Sequence, residues 1–275
     1  MKLKVVGAIL FVMLAATLAV PGADSPAPSA KPPAAVPVPK PSAEEPEINV
    51  EPVIAAAQAG DRYSQMAMGI LYEQRESFTN AFRWFRMAAD QDVPEAQFKV
   101  AFYYSTSRGV LRNFEEAAVW YLKAAQHGLP DAQYNIGVCF ENGLGVAKSQ
   151  SEALIWYRAA AESDNPSAQK ALGALYERGK GIKADPVEAA VWYSIAESRG
   201  VADAAILKKR LLPMFTEEQL KAIAGKVKDT ENKIAERRTI AIARAAAAAS
   251  NAATAKPPGT NAPPSIKPKG KDFLD

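Results

Sequence analysis

Between Asp61 and Gly200 the apolar and small residues fall into two alternating patterns, each with the step of a helix. In the third copy Ala132, Ile136, Gly137 and Phe140 recur at steps of four, one and three, and Ala153, Trp156, Tyr157 and Ala160 follow with the same periodicity. Each pattern predicts a helix with one inward face. The pair occurs four times: Trp84, Trp120, Trp156 and Trp192 stand 36 residues apart, each preceded by Ala81, Ala117, Ala153 or Ala189. Upstream lie Gln65, Gly69 and Tyr72, then Gln97, Ala101 and Tyr104, then Gln133, Gly137 and Phe140, then Gln169, Gly173 and Tyr176. A repeat of this length marks a solenoid or an array.

The expected architecture is all-α, a right-handed α-solenoid of about four 36-residue helix-turn-helix repeats at residues 61–93, 94–129, 130–165 and 166–200. Trp84, Trp120, Trp156 and Trp192 are expected to anchor the repeat core, with Tyr72, Tyr104, Phe140 and Tyr176. Between the helices stand Gly143-Leu144-Gly145-Val146 and Gly179-Lys180-Gly181-Ile182, reduced to Gly109-Val110 in the second copy. From Gln65 to Trp84 is 19 residues, against 23 from Gln97 to Trp120, so the first turn should be shorter by about one helical turn.

Residues 51–60 read as an N-terminal half-repeat, and 201–255 as a C-terminal cap running into an Ala-rich helix. Thr216 and Gln219 have the spacing of a capping box, and Leu220, Ile223, Ala224 and Val227 are placed to close the open end of the array. The flanks differ in kind. Residues 24–50 are a Pro/Ala-rich linker and 256–275 a basic Pro/Gly/Lys tail, both expected to be disordered. Residues 1–23 resemble an export signal, with Lys2 and Lys4 before an apolar run. Cleavage after Ala19 or Ala23 gives a periplasmic or secreted protein; retention leaves an inner-membrane anchor over residues 5–23.

The combination of Ala-Gln, Leu-Gly, Tyr, Gly-x-Gly-Val, Ala and Trp-Tyr resembles the Sel-one-like repeat (SLR) family, relatives of the tetratricopeptide repeats with a longer, Gly-containing turn. The likeness covers about half of the chain. It implies adaptor or assembly roles. Some cysteine-rich secreted relatives are reported as penicillin-binding or β-lactamase-like, but they carry paired Cys in each repeat, whereas here Cys139 stands alone.

Charge and chemistry narrow the reading further. The formal net charge is +3, carried largely by the two ends, so the repeats lack the concentrated basic face that nucleic acid requires. The Gly-x-Gly turns join two helices rather than a strand and a helix, which argues against phosphate binding. His127 is the single histidine, too few for an intrachain Ser-His-Asp triad or a multi-His metal site. Cys139 occupies a packed register. No catalytic, cofactor or metal site is expected.

One apolar stripe points to a partner. If Ala96, Val100, Ala101 and Tyr104 face inward, Phe98 and Phe102 lie on the other side of their helix, with Tyr134 and Val138 one repeat later and Met66 and Ile70 one repeat earlier. In stacked hairpins the first helices line the concave surface, and exposed apolar area there marks a partner site; the other reading is that neighbouring second helices cover these side chains. The reading is therefore a non-catalytic protein-protein interaction or scaffold module of the bacterial cell envelope, binding a peptide or partner protein. An envelope hydrolase of β-lactamase-like type and a self-associating structural protein stand as alternatives.

Overall fold

The computed structural model describes residues 51–254; the expected export signal or anchor at 1–23, linker at 24–50 and tail at 256–275 lie outside the described residues. Among the described residues there are eleven α-helices, one 3-10 turn and no strand, as an all-α repeat protein requires. In chain order they are α1 (Glu51–Gln58), α2 (Arg62–Gln74), α3 (Phe78–Ala89), α4 (Pro94–Thr106), α5 (Phe114–Gln126), α6 (Pro130–Asn142), α7 (Gln150–Glu162), α8 (Pro166–Arg178), α9 (Pro186–Ser198), α10 (Ala202–Leu211) and α11 (Glu217–Thr254), with the 3-10 turn at Leu212–Met214.

Helix starts follow local chemistry. Asp61 accepts from the Ser64 amide at 2.8 Å, Asn113 from Glu116 at 3.0 Å, and Asn165 from Ala168 at 2.8 Å, so a side-chain oxygen caps an otherwise unpaired N–H each time. Pro94, Pro130, Pro166 and Pro186 open four helices at the position that has no intrahelical acceptor for an N–H. The expected capping box forms as well, with Thr216 N donating to Gln219 at 2.9 Å and Gln219 N to the Thr216 hydroxyl at 3.2 Å. The short first turn is present too: three residues separate α2 from α3, where seven separate α4 from α5.

The chain divides at Tyr157 and Arg158, within α7, into two compact units. In the first, each helix from α1 to α6 packs on the next. Gly145 shows how tightly the turns seat: at φ +71° it lies so close to the start of α5 that a Cβ would fall 2.0 Å from the Phe114 carbonyl oxygen. The glycine is there for packing. In the second unit α8 packs on α9, and α9 is covered by both α10 and the long α11.

The inward face of each second helix is set by Ala81, Ala117, Ala153 and Ala189 together with the residue four later: Phe85, Tyr121, Tyr157 and Tyr193, all buried. The expectation that the tryptophans and the first-helix aromatics anchor the core therefore holds in part, with Tyr72, Tyr104, Phe140 and Trp156 packing against the core from its edge. Trp120 and Trp192 are buried, but Trp84 and Trp156 are only half-buried, as are Tyr72, Tyr104, Phe140 and Tyr176. One residue is 100° of helix, so the ring after each Trp takes the centre and the indole sits at its edge. Tyr103, adjacent to Tyr104, is likewise the buried member of its pair.

Candidate interaction surface

The buried rings rest on glycine. A Cβ at Gly137 would meet the Tyr157 ring at 2.7 Å and one at Gly173 the Tyr193 ring at 2.7 Å, so the absence of a side chain lets the two helices of a hairpin approach. Each ring then reaches a polar partner at the far end of the first helix. The Tyr157 hydroxyl donates to Glu141 at 2.8 Å, and the Tyr193 hydroxyl to Glu177 at 2.8 Å. Burial foremost, and then the neighbouring carboxylate, push both phenols above their ordinary pKa, so they remain neutral donors. In the second repeat Ser105 pairs with Tyr121 at 3.2 Å. The first repeat has Phe85, and Glu73 turns instead to Lys99 at 2.7 Å and to the Tyr103 hydroxyl at 3.2 Å.

The residues predicted to form a partner stripe lie on α2, α4 and α6. Ile70, Phe98, Phe102, Tyr134 and Val138 are half-buried. Phe98 leans on Tyr121 with ring centroids 5.7 Å apart, and Tyr134 on Tyr157 at 5.6 Å. One part of each ring therefore serves the core and the remainder faces outward. Met66 does not share this placement. It is 4% exposed and belongs to the core, where its unbranched, flexible side chain fills space that the rings at the same register, Phe98 and Tyr134, do not enter as fully.

A second set of contacts, not anticipated from the sequence, joins successive repeats. Asp92, at φ 64°, accepts from the Gln97 amide at 2.8 Å and pairs with His127 at 3.0 Å. Asp164, at φ 65°, accepts from Gln169 at 3.3 Å and from Arg199 at 2.7 Å in the same register. At the first junction Gln91 bridges the Gly60 carbonyl at 3.0 Å and Gln65 at 2.7 Å. The signal was available as the recurring Gln at 65, 97, 133 and 169, each buried at the entry to a first helix.

His127 and Asp92 line a cleft of about 260 Å³ together with Asp90, Gln97, Trp120 and Lys123. The Lys123 ammonium lies 4.0 Å from the Trp120 ring and the Arg86 guanidinium 4.7 Å, a cation on either neighbour. No Ser, Thr or Cys lines this cleft. Cys139 is buried elsewhere, and burial pushes its thiol up to about 11, the state of an inert, packed sulfur. Among the described residues no group of three or more His, Cys, Asp or Glu side chains converges as a metal site. Among the same residues no helix is long and apolar enough to cross a membrane.

Hairpins of two helices of 12 or 13 residues, each entered through a buried Gln and closed in the third and fourth repeats by a Tyr-Glu bond, define the class as an all-α helical-repeat protein. The Sel1 repeat profile matches residues 62–93, 94–129, 130–165 and 166–201, just over half of the chain, and the chain belongs to the Sel1 repeat family. Repeats of this family generally mediate protein–protein interactions.

Among solved structures, c5321, described as a protective antigen of uropathogenic Escherichia coli displaying an SLR fold, is 35% identical with a TM-score of 0.55 over 57% of this chain and 35% of its own. A Sel1 repeat protein from Oxalobacter formigenes is 28% identical with a TM-score of 0.51, over 58% of this chain and 74% of its own. The aligned region thus spans about a third of the first of these proteins. No curated protein matches the chain.

Proposed function

We propose that this chain is a non-catalytic interaction module of the bacterial cell envelope that holds a peptide or partner protein along its first helices. The observation that carries the reading is the run of half-buried apolar side chains at Ile70, Phe98, Phe102, Tyr134 and Val138, which recurs at equivalent positions on α2, α4 and α6. Such a run suits an amphipathic helix or an extended segment, with the apolar side chains supplying contact area. The family's general role in protein–protein interaction supports the binding class. Residues 1–23 support the envelope assignment through their export-signal pattern.

Photo-crosslinking from within the native envelope tests it. A benzophenone amino acid placed at Phe102 or Tyr134 is expected to give one recurrent adduct mass. The same probe at Leu111, a loop residue 88% exposed, should give none of that mass. Identical labelling from all three positions would overturn the reading.

A further inference from the structure

The outer side of the second helices carries one register whose environment changes along the chain. Val191 on α9 is 1% exposed, whereas its equivalents Val119 on α5 and Ile155 on α7 are 50% and 58% exposed. Repeats 2, 3 and 4 are each followed by the first helix of another hairpin, so that feature does not separate them. What repeat 4 has in addition is α11, which packs along α9. Ile223 and Ile234 of α11 are buried, Lys226 donates to Glu188 at 2.6 Å, and Ser198 donates to Glu231 at 2.9 Å. The chain therefore contains a worked case of a helix docked on a second helix: aliphatic residues flanking a lysine, with the lysine on the glutamate one turn before a buried valine.

Repeats 2 and 3 carry the same receptor elements at their exposed Val119 and Ile155, and α11 meets repeat 3 at its far end, where Arg237 pairs with Glu162 and Arg238 with Asp164. Glu116 precedes Val119 by three residues and Glu152 precedes Ile155 by three, as Glu188 precedes Val191. We infer that this outer face of α5 and of the first two turns of α7 is a second docking surface, and that it takes an amphipathic α-helix of the α11 type, with aliphatic residues at positions 1, 5 and 12 and lysine at position 4. Charge complementarity favours that occupant: the acidic residue sits at the place where Glu188 meets Lys226, and the aliphatic residue at the place of Val191. This surface is separate from the first-helix row and does not depend on it.

The test uses the full-length chain and a fluorescein-labelled synthetic peptide of residues 216–236 as probe, read by fluorescence anisotropy. Saturable binding is expected, weakened by roughly tenfold or more in the Val119→Asp/Ile155→Asp double variant and lost when the peptide carries Ile223→Asp and Ile234→Asp. Both receptor residues are exposed, so the thermal midpoint of the double variant should match that of the parent. A Phe102→Ser variant should bind the peptide normally, which separates this result from failure of the first-helix reading. Absence of saturable binding overturns the inference. Equal binding by parent and double variant, as would follow if the probe merely displaced α11 from α9, overturns it too.

Discussion

Tyr157 donates its hydroxyl to Glu141 at 2.8 Å from a ring that is otherwise enclosed by the hairpin, and Tyr193 repeats the bond to Glu177 at the same distance. The bond closes each hairpin at the end away from its Ala-Gln entry. Tyr157→Phe keeps the ring, as Phe85 does naturally in the first repeat, and removes only the donor. A loss of about 1 kcal/mol is expected, since the acceptor is a charged but partly exposed carboxylate. Urea unfolding of Tyr157→Phe, Glu141→Ala and the double variant checks this: the two single losses should not add, because each breaks the same bond.

Gly137 and Gly225 give opposite outcomes for one substitution. A methyl at Gly137 meets the Tyr157 ring at 2.7 Å, so Gly137→Ala must force the hairpin apart, at a cost of about 1–3 kcal/mol. Nothing lies within 4 Å of a Cβ at Gly225, inside α11, so Gly225→Ala should stabilise by about 0.5–1 kcal/mol through helix propensity. Denaturation midpoints of the two variants, measured side by side, decide it.

Asp92 ties the first repeat to the second, and its carboxyl is held below the ordinary carboxylate value, chiefly by the Gln97 hydrogen bond and then by His127. A group with a depressed folded-state pKa contributes stability in full above its unfolded value of about 4, and that contribution is lost as pH falls toward the depressed value. The parent is expected to be more stable than Asp92→Asn at pH 7, with the gap narrowing as pH is lowered from 5 to 3. Chemical unfolding across that range is the measurement, and a gap that does not narrow would show that the carboxylate charge is not what matters.

Cys139 should behave as a sheltered thiol. With its pKa pushed up to about 11 by burial, the thiolate fraction at pH 8 is about a hundredfold below that of an unperturbed cysteine. Reaction of the native chain with a thiol reagent is expected to be slower by about that factor or more than reaction of the chain unfolded in guanidinium, and a fast native reaction would place the sulfur at the surface.

Much of the fold was legible in the sequence because repetition multiplies weak signals. A single run such as Ala132 to Phe140 leaves its boundaries open, but four copies in register fix the hairpin, the turn and the shortened first loop together. The candidate site was legible only in part. Ile70, Phe98, Phe102, Tyr134 and Val138 stand on the expected helices with partial exposure, whereas Met66 is drawn inside. The junctions at Asp92 and Asp164 went unseen because they join residues about 35 positions apart through backbone turned to positive φ, which no helical periodicity encodes.

The sequence by itself determined the helical period, the number of hairpins and the residues able to cap and break them, because these rest on spacing and local chemistry. Tertiary packing decided which of two adjacent rings lies inside, Trp156 or Tyr157, and which outer aliphatic residue is covered, Val191 or Val119. Neighbours one residue apart differ by a rotation of 100°, and only the position of the next helix chooses between them.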